Sequence, residues 1–90
     1  MQKALVSVTG VDKVGIIAKV SAALSENSVN ILEISQTILD GYFTMLMIVD
    51  ITAAENRYRE LSESLAALGE QIGVSVRIQR VDIFDAMHRI

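Results

Sequence analysis

The chain has 90 residues, a formal net charge of −3 and no cysteine, proline or tryptophan. This length predicts one domain over residues 1–90, and so small a domain buries only about 60% of the surface of its unfolded chain, which favours association with a second copy. The absence of cysteine excludes disulfides and thiolate metal sites, and the acidic net charge argues against nucleic acid as a partner. Since no apolar run is long enough for a membrane span, we expect a cytoplasmic protein.

The first third of the chain predicts a strand followed by a helix. Residues 4–9 alternate with period two and are rich in β-branched side chains, which indicates a strand that ends near Gly10. A turn with two glycines follows, because glycine tolerates the positive φ values of such a loop. Apolar residues then recur at spacings of three and four, which predicts a helix over residues 14–26.

The centre of the chain predicts a β-hairpin. A second period-two segment begins near Leu32 and reaches Asp40 and Gly41, a dipeptide that favours tight turns with positive φ. The next strand covers residues 42–51. Its five consecutive apolar residues, 45–49, indicate that both faces are covered, as in a central strand, and we interpret its methionines as packing residues of a core or a dimer surface.

The last part of the chain predicts a second helix and a fourth strand. Thr52 and Glu55 have the spacing of a capping box at the start of that helix, and its apolar stripe ends at Gly73, a residue suited to a left-handed helix cap. The alternating segment that follows predicts an edge strand with a bulge near residues 79–80. Apolar residues at helical spacing predict a terminal helical turn in residues 84–90, packed on the body of the domain.

These elements follow the order β-α-β-β-α-β, which predicts the α+β ferredoxin-like sandwich. In this fold a four-stranded antiparallel sheet has its first and third strands in the middle, and two helices cover one face. The third strand carries Leu46 and Ile48 on the other face, so an apolar surface stays open and a homodimer is expected. The sequence leaves open whether two chains join by sheet edges or sheet faces. Face contact or a mixed interface is favoured, because it would cover that surface.

A glycine-bearing loop over residues 8–17 is the strongest candidate for a ligand site. It opens onto a helix N-terminus, where free backbone N–H groups and the helix dipole attract a carboxylate or a phosphate. The alternative is structural: Asp12 caps the helix, while Gly10 and Gly15 serve turn geometry and helix packing. From spacing alone the structural interpretation is favoured, and Asn30 by itself fits a turn between helix and strand.

Three motifs carry a further signal: Thr9-Gly10-Val11-Asp12-Lys13-Val14-Gly15-Ile16, Val29-Asn30-Ile31 and Gly41-Tyr42-Phe43-Thr44-Met45. Together they resemble the signature of the ACT domain, a small-molecule-sensing module found attached to enzymes and regulators of amino-acid metabolism. The likeness covers nearly the whole chain and is closest to the short stand-alone ACT proteins related to the glycine cleavage system repressor. Residues 35–37 and the ending 82–90 are also similar to that subgroup.

The resemblance implies an amino-acid effector held at a dimer interface, between the loop after the first strand and the start of the second strand of a neighbouring chain. In ligand-binding members the positions that match Gly10, Asp12 and Asn30 contact the effector, and the glycine that matches Gly15 permits close approach. The candidate ligand-binding residues are therefore Gly10, Val11, Asp12, Lys13, Val14, Gly15 and Asn30. Two of them depart from the family pattern. Val14 replaces a common proline, and Asp12 replaces the asparagine of a serine-sensing member, so its carboxylate would attract an ammonium group and repel a carboxylate.

Other function classes find less support in the residues. No nucleophile with a base, carboxylate pair or metal cluster stands out, and His88 is interpreted as exposed or interface-lining, so no catalytic residue, metal or cofactor is expected. An acylphosphatase-like enzyme would need an arginine in the loop, where only Lys13 is basic. An RNA-binding module would need aromatic side chains on the first strand. The main alternative to an amino-acid-binding regulator with a protein partner is a ligand-free module that acts through dimerisation and protein contacts.

Overall fold

The computed structural model describes residues 1–11 and 14–81. Its elements are β1 (Lys3–Val11), α1 (Ile16–Glu26), β2 (Asn30–Leu39), β3 (Tyr42–Asp50), α2 (Tyr58–Ile72) and β4 (Val74–Arg80). The sheet order is β2-β3-β1-β4, and all neighbouring strands are antiparallel. The ferredoxin-like prediction is confirmed, including the central positions of β1 and β3. Within the described ranges no helix is both long and apolar enough to cross a membrane.

The core lies between the two helices and one face of the sheet. Alternate residues of the central strands are buried there, as period two dictates, and each helix contributes one apolar stripe. The largest fully buried side chains are Leu24, Met45, Met47, Ile51, Leu61 and Leu65. The methionines of β3 are therefore core residues, which confirms one of the two roles expected for them.

Two predicted chain reversals have the expected left-handed backbone. Asp40 and Gly41 have φ values of 53° and 79°, which fits the tight primed turn of a β-hairpin. Gly73 has a φ of 79° and ends α2. Both turn predictions are confirmed. They could be made from the sequence because few residue types adopt a positive φ.

The predicted capping box is wrong. Residues Thr52–Arg57 form a 3-10 helix, α2 begins at Tyr58, and no side chain caps either N-terminus. The Thr52 hydroxyl instead donates to Asp50 Oδ1 over 2.6 Å and accepts from the backbone N–H of Gln2 over 2.9 Å. Hydrogen bonds from the hydroxyl and the backbone N–H of Thr52 hold the pKa of Asp50 below its ordinary value. The capping box does not form because the Thr52 hydroxyl is already hydrogen-bonded to Asp50 and Gln2.

The predicted bulge in β4 is also wrong. β4 pairs with β1 along its whole length without a register shift, and it is an edge strand as expected. The change of apolar phase marks the end of the strand instead, since Val81 is already helical. The irregularity lies in β2, where the register shifts between Ile31 and Glu33. The predicted terminal turn at residues 84–90 lies outside the described residues.

Candidate functional site

The loop between β1 and α1 is described at both of its ends. Gly10 and Val11 end β1, where they pair with Phe43 and Tyr42, and Asp12 and Lys13 lie outside the described residues. The two valines that flank this pair are exposed apolar side chains: Val11 is 54% exposed and Val14 is fully exposed. The loop thus presents apolar surface on both sides of its two charged residues.

The neighbouring strand β4 leaves no room for a side chain at Gly10. A Cβ at this position would lie 2.8 Å from Cγ1 of Val74 on the neighbouring strand, closer than carbon atoms approach in proteins. The absence of a side chain therefore lets β4 lie flat against β1. This supports the structural interpretation of Gly10, whether or not a ligand binds beside it.

Gly15 occupies a different environment. It is the N-cap residue of α1 with a φ of 87°, and a Cβ there would have no heavy atom within 4 Å. Among the residues that the structure describes, none caps this helix end with a side-chain hydrogen bond, and the first turn of α1 contains no acidic residue. The start of a helix combines N–H groups that have no partner within the helix with the positive end of the helix dipole, which suits a carboxylate. Asp12, the alternative cap, lies outside the described residues. The helix begins two residues later than predicted, at Ile16.

Asn30 lies at the opposite end of the same sheet. It is exposed, begins β2 and pairs with Asp50, which in turn pairs with Lys3 at the start of β1. Val11 lies eight residues further along β1, about 26 Å away at the usual rise of a strand. Within one chain, the structure therefore does not bring Asn30 together with the loop.

The structure shows a surface that the sequence analysis missed, the outer edge of β2. Ile34 and Ile38 pair with the buried residues Met47 and Phe43, yet they are 49% and 57% exposed. Leu32 and Leu39 of the same strand are also exposed. The alternation of β2 indicated a buried face, but only the packing shows that the core layer ends before it reaches this strand.

An open cleft of about 660 Å³ lies elsewhere, between α2 and the free edge of β4. Its lining includes neither Gly15 nor Asn30, and it is built largely from small side chains such as Ser62, Ala66 and Ser75. In the part of the chain that the structure describes, no three His, Cys, Asp or Glu side chains group as they would around a metal ion. The cleft, which also includes Glu70 and Arg77 in its lining, is therefore separate from the loop.

Comparisons with known proteins give consistent results. The family model described as ACT domain matches residues 2–79. A UPF0237 protein of Bifidobacterium longum is 52% identical over 90 residues, which is 100% of both chains. A solved ACT domain protein from Streptococcus pneumoniae superimposes with a TM-score of 0.83 at 40% identity, covering 92% of this chain and 93% of that one. A solved candidate glycine cleavage system transcriptional repressor shares the fold, with a TM-score of 0.74 at 22% identity over 88% of this chain and 45% of its own.

Proposed function

Because the chain belongs to the ACT domain family, as its motifs predicted, we propose that it is a regulatory homodimer that binds a free amino acid and signals to a protein partner. ACT domains are typically regulatory modules that bind amino acids. One observation carries the proposal for this chain: the loop that leads into α1 and Asn30 lie at opposite ends of one sheet. They can contact the same small ligand only if two chains contribute to the site.

Three polar groups and two apolar side chains in the proposed site match the chemistry of an amino acid. The N–H groups at the start of α1 donate hydrogen bonds to the ligand carboxylate, and the open space beside Gly15 lets it approach. Asp12 attracts the ammonium group. Asn30 of the partner subunit supplies an amide that both donates and accepts hydrogen bonds. The exposed Val11 and Val14 cover the apolar part of the ligand.

Pairing of two β2 edges is the interface that assembles this site. Antiparallel pairing about a two-fold axis near residues 34–35 places the partner's Asn30 beside residues 38–40, at the loop end of the first chain. It also covers the exposed isoleucines of β2 and its free backbone groups, which a monomer would leave open to aggregation. The open sheet face is less apolar than expected, because the register aligns Ser75, Thr9, Thr44 and Thr37 across it. We therefore prefer the edge to the face contact that the sequence favoured.

A thermal-shift screen of the twenty amino acids tests the proposal. We expect at least one to raise the melting temperature by about 10 °C at a hundredfold excess over its Kd, since a ligand of the folded state stabilises it. Gly15→Asp should abolish this shift while the dimer persists, because it places a carboxylate where the ligand carboxylate binds. Ala67→Asp adds the same charge to an exposed position of α2 and should leave the shift unchanged.

Two results of the screen would contradict a sensor. One is the absence of a shift with any amino acid, and the other is an unchanged affinity in Gly15→Asp. A stable dimer without a ligand would instead favour the module that acts through protein contacts alone, which the exposed β2 edge also fits.

A further inference from the structure

Three exposed apolar side chains form a row at the loop end of the sheet. The strand register places Val11 opposite Tyr42 and Tyr42 opposite Leu39, so the three lie side by side on β1, β3 and β2. They share the face away from the helices, because alternate residues of β3 from Phe43 onward are buried on the other face. Val11 is 54%, Tyr42 62% and Leu39 75% exposed. Neighbours across strands lie about 5 Å apart, so the row is one continuous apolar patch.

The row is bounded along the strands. The next row toward the centre of the same face consists of Thr9, Thr44 and Thr37, which carry hydroxyl groups. On its other side lie the β2–β3 turn and the loop that follows β1. A stable protein interface covers about 800 Å² of each partner, which three side chains do not supply. The size of the patch therefore fits the side chain of a small ligand better than a segment of protein.

The row lies between the two parts of the ligand site proposed above. Its inner end is Val11, and the start of α1 at Gly15 follows four residues later. Its outer end lies on β2, beside Asn30 of the partner subunit in the proposed dimer. Asn30 pairs with Asp50, which is on the same face as Tyr42 because an even number of residues separates them on β3. A ligand that contacts both the loop and Asn30 of the partner subunit therefore lies next to the row.

We propose that the effector is an amino acid with a bulky apolar side chain, branched or aromatic, which packs on Val11, Tyr42 and Leu39. This inference rests on the proposed function and names the class of its ligand. Such a side chain removes the row from water, whereas a small or polar one leaves it exposed. Asp40 directly follows Leu39, and its carboxylate disfavours an acidic side chain there. A single methylene in an apolar site changes binding about tenfold or more, so we expect clear discrimination by size.

Calorimetry on the full chain tests this inference with leucine, isoleucine, phenylalanine, alanine, serine, glutamate and lysine as ligands. We expect the tightest of the three bulky apolar amino acids to bind at least about tenfold more tightly than alanine. Tyr42→Ser should weaken that ligand about tenfold and alanine less than about twofold, because the alanine side chain is too short to cover the row. A merely structural effect of the substitution would instead weaken both ligands equally.

Leu46→Ser is the matched control, since Leu46 is an exposed apolar residue of the same strand and face, four positions from Tyr42. It should leave every affinity unchanged. Serine, glutamate or lysine as the tightest ligand would overturn the inference and leave the proposed function intact. Equal losses for the bulky ligand and alanine in Tyr42→Ser would also overturn it. If no amino acid bound at all, the proposed function would be contradicted, and this inference with it.

Discussion

Replacing Gly69 with alanine is expected to lower the free energy of unfolding by about 2–3 kcal/mol, the cost of forcing an atom into a packed contact. In an unconstrained helix the same change would raise it by about 1 kcal/mol. The sign reverses because a Cβ on Gly69 would lie 2.6 Å from the carbonyl oxygen of Val74 and 3.1 Å from the backbone nitrogen of Val76. These are backbone atoms of β4, and they cannot move without disturbing the pairing of β4 with β1.

Urea denaturation at equal protein concentration measures this loss. The matched control is Ser64→Ala, at an exposed position of the same helix, which we expect to change the free energy of unfolding by about 0.5 kcal/mol or less. If Gly69→Ala were as stable as the original protein, the close approach of α2 to β4 would be contradicted.

Placing lysine at both Ile34 and Ile38 is expected to weaken the proposed dimer by roughly a hundredfold, or about 3 kcal/mol. Each isoleucine is about half exposed in the single chain, so the fold tolerates the change. In an interface through β2 edges, however, the apolar contact would be lost and lysines from both chains would meet. Sedimentation over a range of concentrations measures the dissociation constant.

Leu46→Lys is the matched control for this interface. Leu46 is exposed to a similar extent, at 44%, but it lies on the open sheet face rather than at the edge. We expect the dimer to persist in this variant. Dissociation by Leu46→Lys together with an intact dimer in the double variant would assign the interface to the sheet face.

The fold was predictable from the sequence because its signals are local. Apolar periodicity distinguished strands from helices, and Asp40 and Gly41 specified their turn through backbone conformations that few residue types adopt. The capping box failed for the opposite reason. Thr52 accepts a hydrogen bond from Gln2, fifty positions away in the chain, and that partner could not be inferred from spacing.

The geometry of the candidate site was predictable only in part. The motifs identified the loop, but the packing of Gly10 against Val74 depends on a contact between distant strands. The exposure of Ile34 and Ile38 depends on how far the helices extend over the sheet, which their alternation does not encode. Periodicity predicts which residues lie on the apolar face of a strand or helix, whereas their burial depends on what packs against that face.

Mixed dimers test most directly whether two chains share the ligand site. Chains with Asn30→Ala and chains with Gly15→Asp each form dimers in which both sites are damaged. When they are refolded together and the mixed dimers are purified, one site combines the intact loop of the first chain with the intact Asn30 of the second. With the amino acid found in the screen, we predict that calorimetry detects one site of normal affinity per mixed dimer. Mixed dimers that bind no better than either parent would contradict a site shared between chains.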